Sequence, residues 1–221
     1  MTDLAVYDMD RTVTVRATYT SFLLHCARQR QPWRLALTPF AALSMLGYVA
    51  KAIDRARLKE INHALMLGGH LHPHELKPLV ASFADATVAH NICPGARRQL
   101  ASDKAEGFRL VMATASYRLY AEAIAERLGF DDVIATGTVT GLDQSLSAKI
   151  DGENCYGPAK KRMLDTWLAE ERIEVGRTRF YSDHISDLPV FEWADEPVAV
   201  NPHPTLRRLA QQRGWRVEDW R

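Results

Sequence analysis

The chain has 221 residues, 47% hydrophobic and 25% charged, enough for one sizeable α/β core and a small accessory unit. Its 28 basic and 27 acidic residues nearly cancel, so no overall field recruits nucleic acid or a membrane. Cys26, Cys93 and Cys155 are scattered and odd in number, without a Cys-x-x-Cys pair, which fits reduced thiols in a cytoplasmic protein and not a disulfide or zinc framework.

The N-terminus leads straight into an apolar strand, Leu4-Ala5-Val6-Tyr7, which leaves no room for a signal peptide. Turn chemistry follows in Asp8-Met9-Asp10-Arg11-Thr12-Val13. Two carboxylates just past a buried strand stand where an open parallel sheet forms its ligand crevice. Such a pair repels unless a proton or cation lies between, and a hard divalent ion resolves this, Mg2+ being the usual one beside phosphates. Capping of the next helix is the competing role for Asp8 and Asp10.

From Tyr19 to about Ala89 the pattern turns helical, with helices expected over residues 21–30, 55–67 and 73–89 and a stop at Gly68-Gly69. Between them, residues 35–53 are strongly apolar, yet Pro39 interrupts the run and it falls short of the roughly 20 apolar residues that span a bilayer. The run reads as helices packed on one another, or as an apolar lid that meets a lipid-like phosphate or lies on a membrane surface. His70, His72 and His74 alternate in a stretch of loop composition with no Cys or Asp nearby, a weak metal signal.

After Pro94-Gly95, strands and helices alternate: helix 96–106, strand 108–113, helix 117–128 ended by Gly129, antiparallel strands 133–140 and 147–151, helix 160–171, and strands 178–181 and 198–200. Residues 205–213 and 215–217 close the domain. This order indicates an α/β protein with a Rossmann-like, doubly wound parallel sheet. The expected division is a core of residues 1–16 and 90–221, with a small all-helical unit, 17–89, inserted after the first strand.

Three further motifs stand on this frame. Leu110-Val111-Met112-Ala113-Thr114-Ala115-Ser116 ends a strand on hydroxyls. At a helix start, the Thr114 hydroxyl and the N–H groups of Ala115 and Ser116 can receive phosphate oxygens, or Thr114 and Ser116 are ordinary caps. Gly157-Pro158-Ala159-Lys160 opens a helix with a lysine, Lys161 being the competing assignment. Phe180-Tyr181-Ser182-Asp183-His184-Ile185-Ser186-Asp187 runs a strand into paired acids, which bind a cation or sit at a helix N-terminus favoured by its dipole. His184 lines the same site or packs behind it, and Trp193, Trp215 and Trp220 read as packing residues.

In order, Asp-x-Asp-x-Thr, Thr, Lys and Asp-x-x-x-Asp resemble the four motifs of the haloacid dehalogenase-like (HAD) phosphohydrolases. Residues 182–189 and 198–202 are similar to the branch that contains phosphoserine phosphatase, and the resemblance covers residues 4–13 and 94–221. It implies that Asp8 is a nucleophile forming an aspartyl-phosphate. Asp10 would protonate the leaving alcohol and then deprotonate the hydrolytic water. Members that break carbon–halogen bonds lack this second acid, so Asp10 points to phosphoryl chemistry. Thr12 would lock the loop by hydrogen bonding. Arg11, where a glycine is frequent in the family, would face water or substrate. Thr114, Ala115, Ser116 and Lys160 would hold the phosphate, and Mg2+ would be held by Asp8, the backbone carbonyl of Asp10, and Asp183. Asp187 would anchor the ion's water or Lys160.

The helical insertion resembles the small cap of this branch, which closes over the site and reads the part of the substrate that is not phosphate. In phosphoserine phosphatases a glutamate just after the first motif reads the substrate ammonium, whereas residues 13–24 here contain no acid at all. The expected substrate is therefore a small or amphipathic phosphate monoester. A phosphotransferase on the same intermediate and a non-catalytic phosphate-binding module are the other readings, and the intact set of site residues argues against the module.

Overall fold

Thr2–Tyr7 form the strand at the middle of the sheet, β1, whose last four residues are completely buried. Side chains alternate across a strand. Leu4 and Val6 accordingly enter one core layer, with Leu164, Phe180 and Phe191, while Ala5 and Tyr7 enter the other, with Leu100, Tyr181 and Trp220. A strand buried on both faces reads as an unbroken apolar run, as this one does. The computed structural model describes every residue except 144.

The chain continues through α1 (Tyr19–Arg30), α2 (Thr38–Val49), α3 (Arg55–Met66), β2 (His70–Leu71), α4 (Pro73–His90) and α5 (Pro94–Ala105). Then come β3 (Arg109–Tyr117), α6 (Arg118–Leu128), β4 (Asp132–Thr140), β5 (Leu146–Asp151), α7 (Pro158–Glu170) and β6 (Val175–Ser182). The last elements are α8 (Leu188–Trp193), β7 (Glu196–Val200), α9 (Pro204–Arg213) and β8 (Arg216–Glu218). The sheet order is β2-β5-β4-β3-β1-β6-β7-β8. Pairing is parallel from β4 to β8 and antiparallel for β4 with β5 and β5 with β2, so the sheet is mixed and mostly parallel, with helices on both faces. Because β1 lies between β3 and β6, its carboxyl end is a topological switch point, the place where such sheets bind ligands.

The insertion after β1 departs from the expected all-helical unit. His70 and Leu71 form β2, pairing antiparallel with Ser147 and Leu146 of β5. The buried side chain of Leu71 explains the strand, since it joins the same core layer as Phe22, Phe83 and Tyr120. That layer binds α1 and α4 to α6 through the close ring contacts of Phe22, Phe83 and Tyr120. The apolar run at 35–53 behaves differently. It forms a short 3-10 turn, Pro32–Leu37, and α2, and neither contains a buried residue.

Below the sheet, Asp103 of α5 is fully buried and accepts hydrogen bonds from the Tyr7 and Tyr181 hydroxyls, from Gln99 and from Arg179. This network ties α5 to β1 and β6, the two strands that carry the acids. Burial raises both phenols far above their ordinary range, so they remain donors. Removing the acceptor strands two buried hydroxyls, while Arg179 keeps Glu106 and Glu196. Asp103→Ala is expected to lower the unfolding free energy by about 3 kcal/mol in denaturant titrations. Asp165→Ala, which breaks only the exposed Lys161–Asp165 pair, should cost less than about 1 kcal/mol.

Candidate active site

Asp8 leaves the end of β1 with its N–H donating to the Tyr181 carbonyl (2.9 Å), which extends the pairing with β6 by one residue. Residues Met9–Val13 then form one irregular helical turn, closed by the Thr14 N–H donating to the Met9 carbonyl at 2.9 Å. Arg11 sits in the left-handed region at φ 65°, where a glycine would be unstrained. Its carbonyl accepts from Asn201 Nδ2 (3.1 Å) and its N–H donates to Thr14 Oγ1 (3.2 Å), which together hold the turn in place. The Arg11 side chain lines the mouth of the pocket. Thr12 locks the loop by donating to Asp8 Oδ2 at 3.2 Å.

Lys160 reaches this point from the first turn of α7. Gly157, at φ 62° and ψ −134°, makes the sharp entry that aims the helix, a conformation open essentially to glycine alone. The amine donates to Asp8 Oδ1 (2.8 Å) and Asp187 Oδ2 (2.6 Å), and all three groups are buried. Burial works against the charge on Lys160, yet the Asp187 and Asp8 carboxylates outweigh it and raise the amine above its ordinary range. Lys161 points to the surface and pairs with Asp165, which decides between the two lysines.

Burial lifts the Asp8 carboxyl to about 7, Lys160 opposing the shift and the charges of Asp187 and Asp183 adding to it. Asp183, at the end of β6, rises to about 6 through burial and the charge of Asp187. Asp187 also accepts from Ser182 Oγ at 2.8 Å, while its Oδ1 is buried with no hydrogen-bond partner.

Asp10 turns the other way. Its Oδ1 accepts from the N–H and hydroxyl of Thr18, both at 2.8 Å, and its Oδ2 from Ser116 Oγ at 2.9 Å. The expectation for Ser116 is corrected here: its hydroxyl serves Asp10, and its N–H donates to Thr114 Oγ1 at 3.1 Å. Nor does a helix begin at Thr114, since β3 runs on to Tyr117 and α6 starts at Arg118. A register shift against β4 between Thr114 and Tyr117 turns these residues inward, and no helix dipole is involved. Thr114 and Ala115 do line the pocket, together with Asp8, Asp10, Lys160 and Asp183, around a cavity of about 250 Å³.

Several functional candidates escaped the sequence. Thr18 orients Asp10, and Arg55 at the start of α3 lines the pocket with its guanidinium 4.1 Å over the Tyr156 ring. Lys59, almost fully buried, donates to the Ala115 carbonyl and to Asn154 Oδ1 (2.6 Å), which joins the inserted helices to β3. Burial brings its amine down to about 7. An Arg-x-x-x-Lys spacing that places two cations on one helix face was the only hint available. His184 lines the pocket with Nδ1 tied to Ser186 Oγ at 3.0 Å. His70 contacts Ser145 at the sheet edge, and the His72 and His74 rings stack, far from these acids in the chain.

The donor set suits a small hard cation. Among the described residues, no three His, Cys, Asp or Glu side chains form a metal cage of their own. Mg2+ needs no such cage, because it keeps waters and shares substrate phosphate with one or two carboxylates. Asp8 and Asp183 would supply those carboxylates, with the unpartnered Asp187 Oδ1 in the same cluster. The Asp10 carboxylate is committed to Thr18 and Ser116, which leaves its backbone carbonyl as the oxygen that could contribute. Three acids facing one ammonium leave negative charge uncompensated, and a phosphate would add more.

These residues converge at the carboxyl edge of the central strands of a Rossmann-like core. Residues 5–192 match the family model of the haloacid dehalogenase-like hydrolases. The chain belongs to that family. It is 28% identical over 218 residues to the inhibition of morphological differentiation protein of Streptomyces azureus, covering 98% of this chain and 78% of the relative. It is 32% identical over 149 residues to the phosphoserine phosphatase SerB1 of Mycobacterium tuberculosis, covering 66% of this chain and 47% of that protein, so it spans about half the length of this relative. A crystal structure of a protein of unknown function from Bordetella pertussis superposes over all of both chains with a TM-score of 0.88 at 24% identity, which shows a shared fold.

The raised carboxyls set a pH dependence. An unfolded chain releases these protons near the ordinary carboxylate range, whereas the folded chain holds them to about 6 and about 7. The folded state therefore binds more protons in that interval, and these two groups make stability fall as pH rises through it. Cation-free protein is expected to lose melting temperature between about pH 5 and about pH 7.5, and millimolar Mg2+ to restore more of it at the higher value. Asp8→Asn should flatten both effects in a thermal-shift series.

Proposed function

We propose that this hydrolase is a Mg2+-dependent phosphatase that cleaves a phosphate monoester through an aspartyl-phosphate on Asp8. The observation that carries the reading is a second acid, Asp10, held by three donors in the same pocket as an Asp8 that Lys160 and Thr12 hold. Asp8 Oδ attacks phosphorus while the bond to the ester oxygen breaks, and Asp10 gives its proton to that departing oxygen. Asp10 then takes a proton from the water that attacks the aspartyl-phosphate, which releases inorganic phosphate and regenerates Asp8. Lys160, Thr114 and the N–H of Ala115 meet the phosphoryl oxygens, whose charge is the main obstacle. The cation, when bound, neutralises that charge.

A second cavity of about 250 Å³ shares Asp10 and Ala115 with the phosphate pocket and is lined by Tyr19, Met45, Tyr48, Leu58, Lys59 and Asn62. It is the place for the alcohol part of the ester. Its lining combines apolar and aromatic side chains with two cations, Lys59 and Arg55, and no acid beyond Asp10, which supports a small or amphipathic alcohol and offers an ammonium such as that of phosphoserine no second carboxylate. The exposed apolar α2 is the part of the insertion that would meet such an ester or the surface that carries it.

An aryl phosphate with Mg2+ tests the chemistry. Wild-type protein should release inorganic phosphate in step with the phenol, which separates hydrolysis from transfer to another acceptor, and Asp8→Asn should abolish both. Asp10→Asn should cost about 10²–10⁴-fold on alkyl phosphates and clearly less on an aryl phosphate, whose leaving group needs little protonation. Equal losses on both ester types would remove Asp10 from the proton-transfer role.

A further inference from the structure

Of the ten large apolar side chains that are exposed among the described residues, seven lie between Trp33 and Val49. The helix responsible, α2, is turned inside out. Its small residues Ala41, Ser44 and Gly47 lie on the less exposed side, Ser44 Oγ donating to Asn62 Oδ1 of α3 at 3.0 Å and a Cβ added at Gly47 meeting the Ile53 side chain at 3.7 Å. Its large residues point outward, with Phe40, Leu43, Leu46 and Val49 all between 58% and 70% exposed. Turning the small stripe inward while exposing the large one reverses the usual gain from apolar burial, which points to a further partner over this face.

The charges around the helix say what. No charged residue occurs from Leu35 to Ala50, while Arg28, Arg30 and Arg34 precede the run and Lys51, Arg55 and Arg57 follow it, against Asp54 alone. Arg30 and Arg57 pair with Glu75 and Glu60, but Arg28 and Lys51 are exposed with no ion-pair partner among the described residues. A segment this basic in a chain of net charge +1 makes the rest of the molecule acidic, so the cations are concentrated where the apolar side chains are. Trp33, under the Arg34 guanidinium at 4.8 Å, stands at one end of the run and Tyr48 at the other, both side chains of the kind that settle at a lipid–water boundary. At 12 residues, α2 is about 18 Å long, and no helix among the described residues is long and apolar enough to cross a membrane.

We infer that the chain docks on an anionic lipid surface, α2 lying in the interfacial plane with Phe40, Leu43, Leu46 and Val49 in the headgroup–acyl boundary and Arg28 and Lys51 on the headgroups. The helix itself carries no charge and its flanks carry the cations, so apolar burial and electrostatic attraction come from neighbouring parts of one segment and act together. The docking rests on the surface of α2 and does not depend on the chemistry at Asp8. Met45 and Tyr48 also wall the cavity beside Asp10, so on the phosphatase reading the docked helix opens that cavity toward the bilayer.

Vesicle flotation tests the docking. The whole chain should rise with vesicles of phosphatidylcholine containing a minority of phosphatidylglycerol at low salt, and stay behind with phosphatidylcholine alone or at high salt. The double variant Leu43→Asp, Leu46→Asp, outside both cavities, should lower the floated fraction about tenfold, and Lys51→Glu should lower it on the anionic vesicles and make what remains less sensitive to salt. Circular dichroism and thermal unfolding establish that each variant is folded, and aryl phosphate turnover without vesicles reports separately on the active site. Wild-type protein that does not float on anionic vesicles, or a folded double variant that floats as well as wild type, overturns the proposal. So does sedimentation equilibrium showing a dimer that Leu43→Asp dissolves, since a second copy would then cover α2.

Discussion

One ammonium between two buried carboxylates governs this molecule. Lys160 bridges Asp8 and Asp187 at 2.8 and 2.6 Å, and the three groups come from β1, from the start of α7 and from the turn after β6. A buried charge is tolerated only when paired and hydrogen-bonded, so the bridge dictates how these segments approach one another. It does not balance the site, since Asp183 adds another carboxylate and Asp187 Oδ1 has no partner. Burial lifts Asp8 and Asp183 first and the neighbouring carboxylates add to it, and those same clustered charges are what would draw a divalent cation and, through it, a phosphate.

The sheet and the polar network beneath it supply the rigidity this arrangement needs. β1 contributes Asp8 only because it is central, with β3 and β6 delivering Thr114 and Asp183 to the same edge. Asp103, bonded to Tyr7 and Tyr181, fixes two adjacent strands from the far side of the core layer. Reacting groups must be held to within fractions of an ångström, and strands locked on both faces do this better than loops. The left-handed Arg11 shows that the turn is held from outside, by Asn201 and Thr14, strongly enough to accept a side chain where none is favoured.

The inserted helices have two separate tasks. α1 and α4 are part of the common core through Phe22, Phe83 and Tyr120, and β2 lengthens the sheet, so this part of the insertion is anchored. α2 and α3 face the site and the outside. Through Lys59, α3 grips the Ala115 carbonyl, and α2 leaves its large side chains uncovered. The segment that contributes least to the core is thus the one that borders the pocket and carries the exposed apolar surface.

Much of the fold and the site was readable in the residues. Apolar runs of strand length alternating with helical stretches define the α/β layers, and acids, hydroxyls and a lysine standing just past those runs mark one edge of the sheet, because backbone periodicity and the direction of parallel strands are local properties. Hence Asp8, Lys160, Asp183 and Asp187 were found from sequence and lie together. Helix over 38–49 was implicit in its composition, but which of its faces looks outward was not. The role of Ser116, the grip of Thr18 on Asp10 and the strand at His70–Leu71 were decided by tertiary structure alone. Each depends on a partner distant in the chain, and only the packed molecule sets the distance and direction from which that partner arrives.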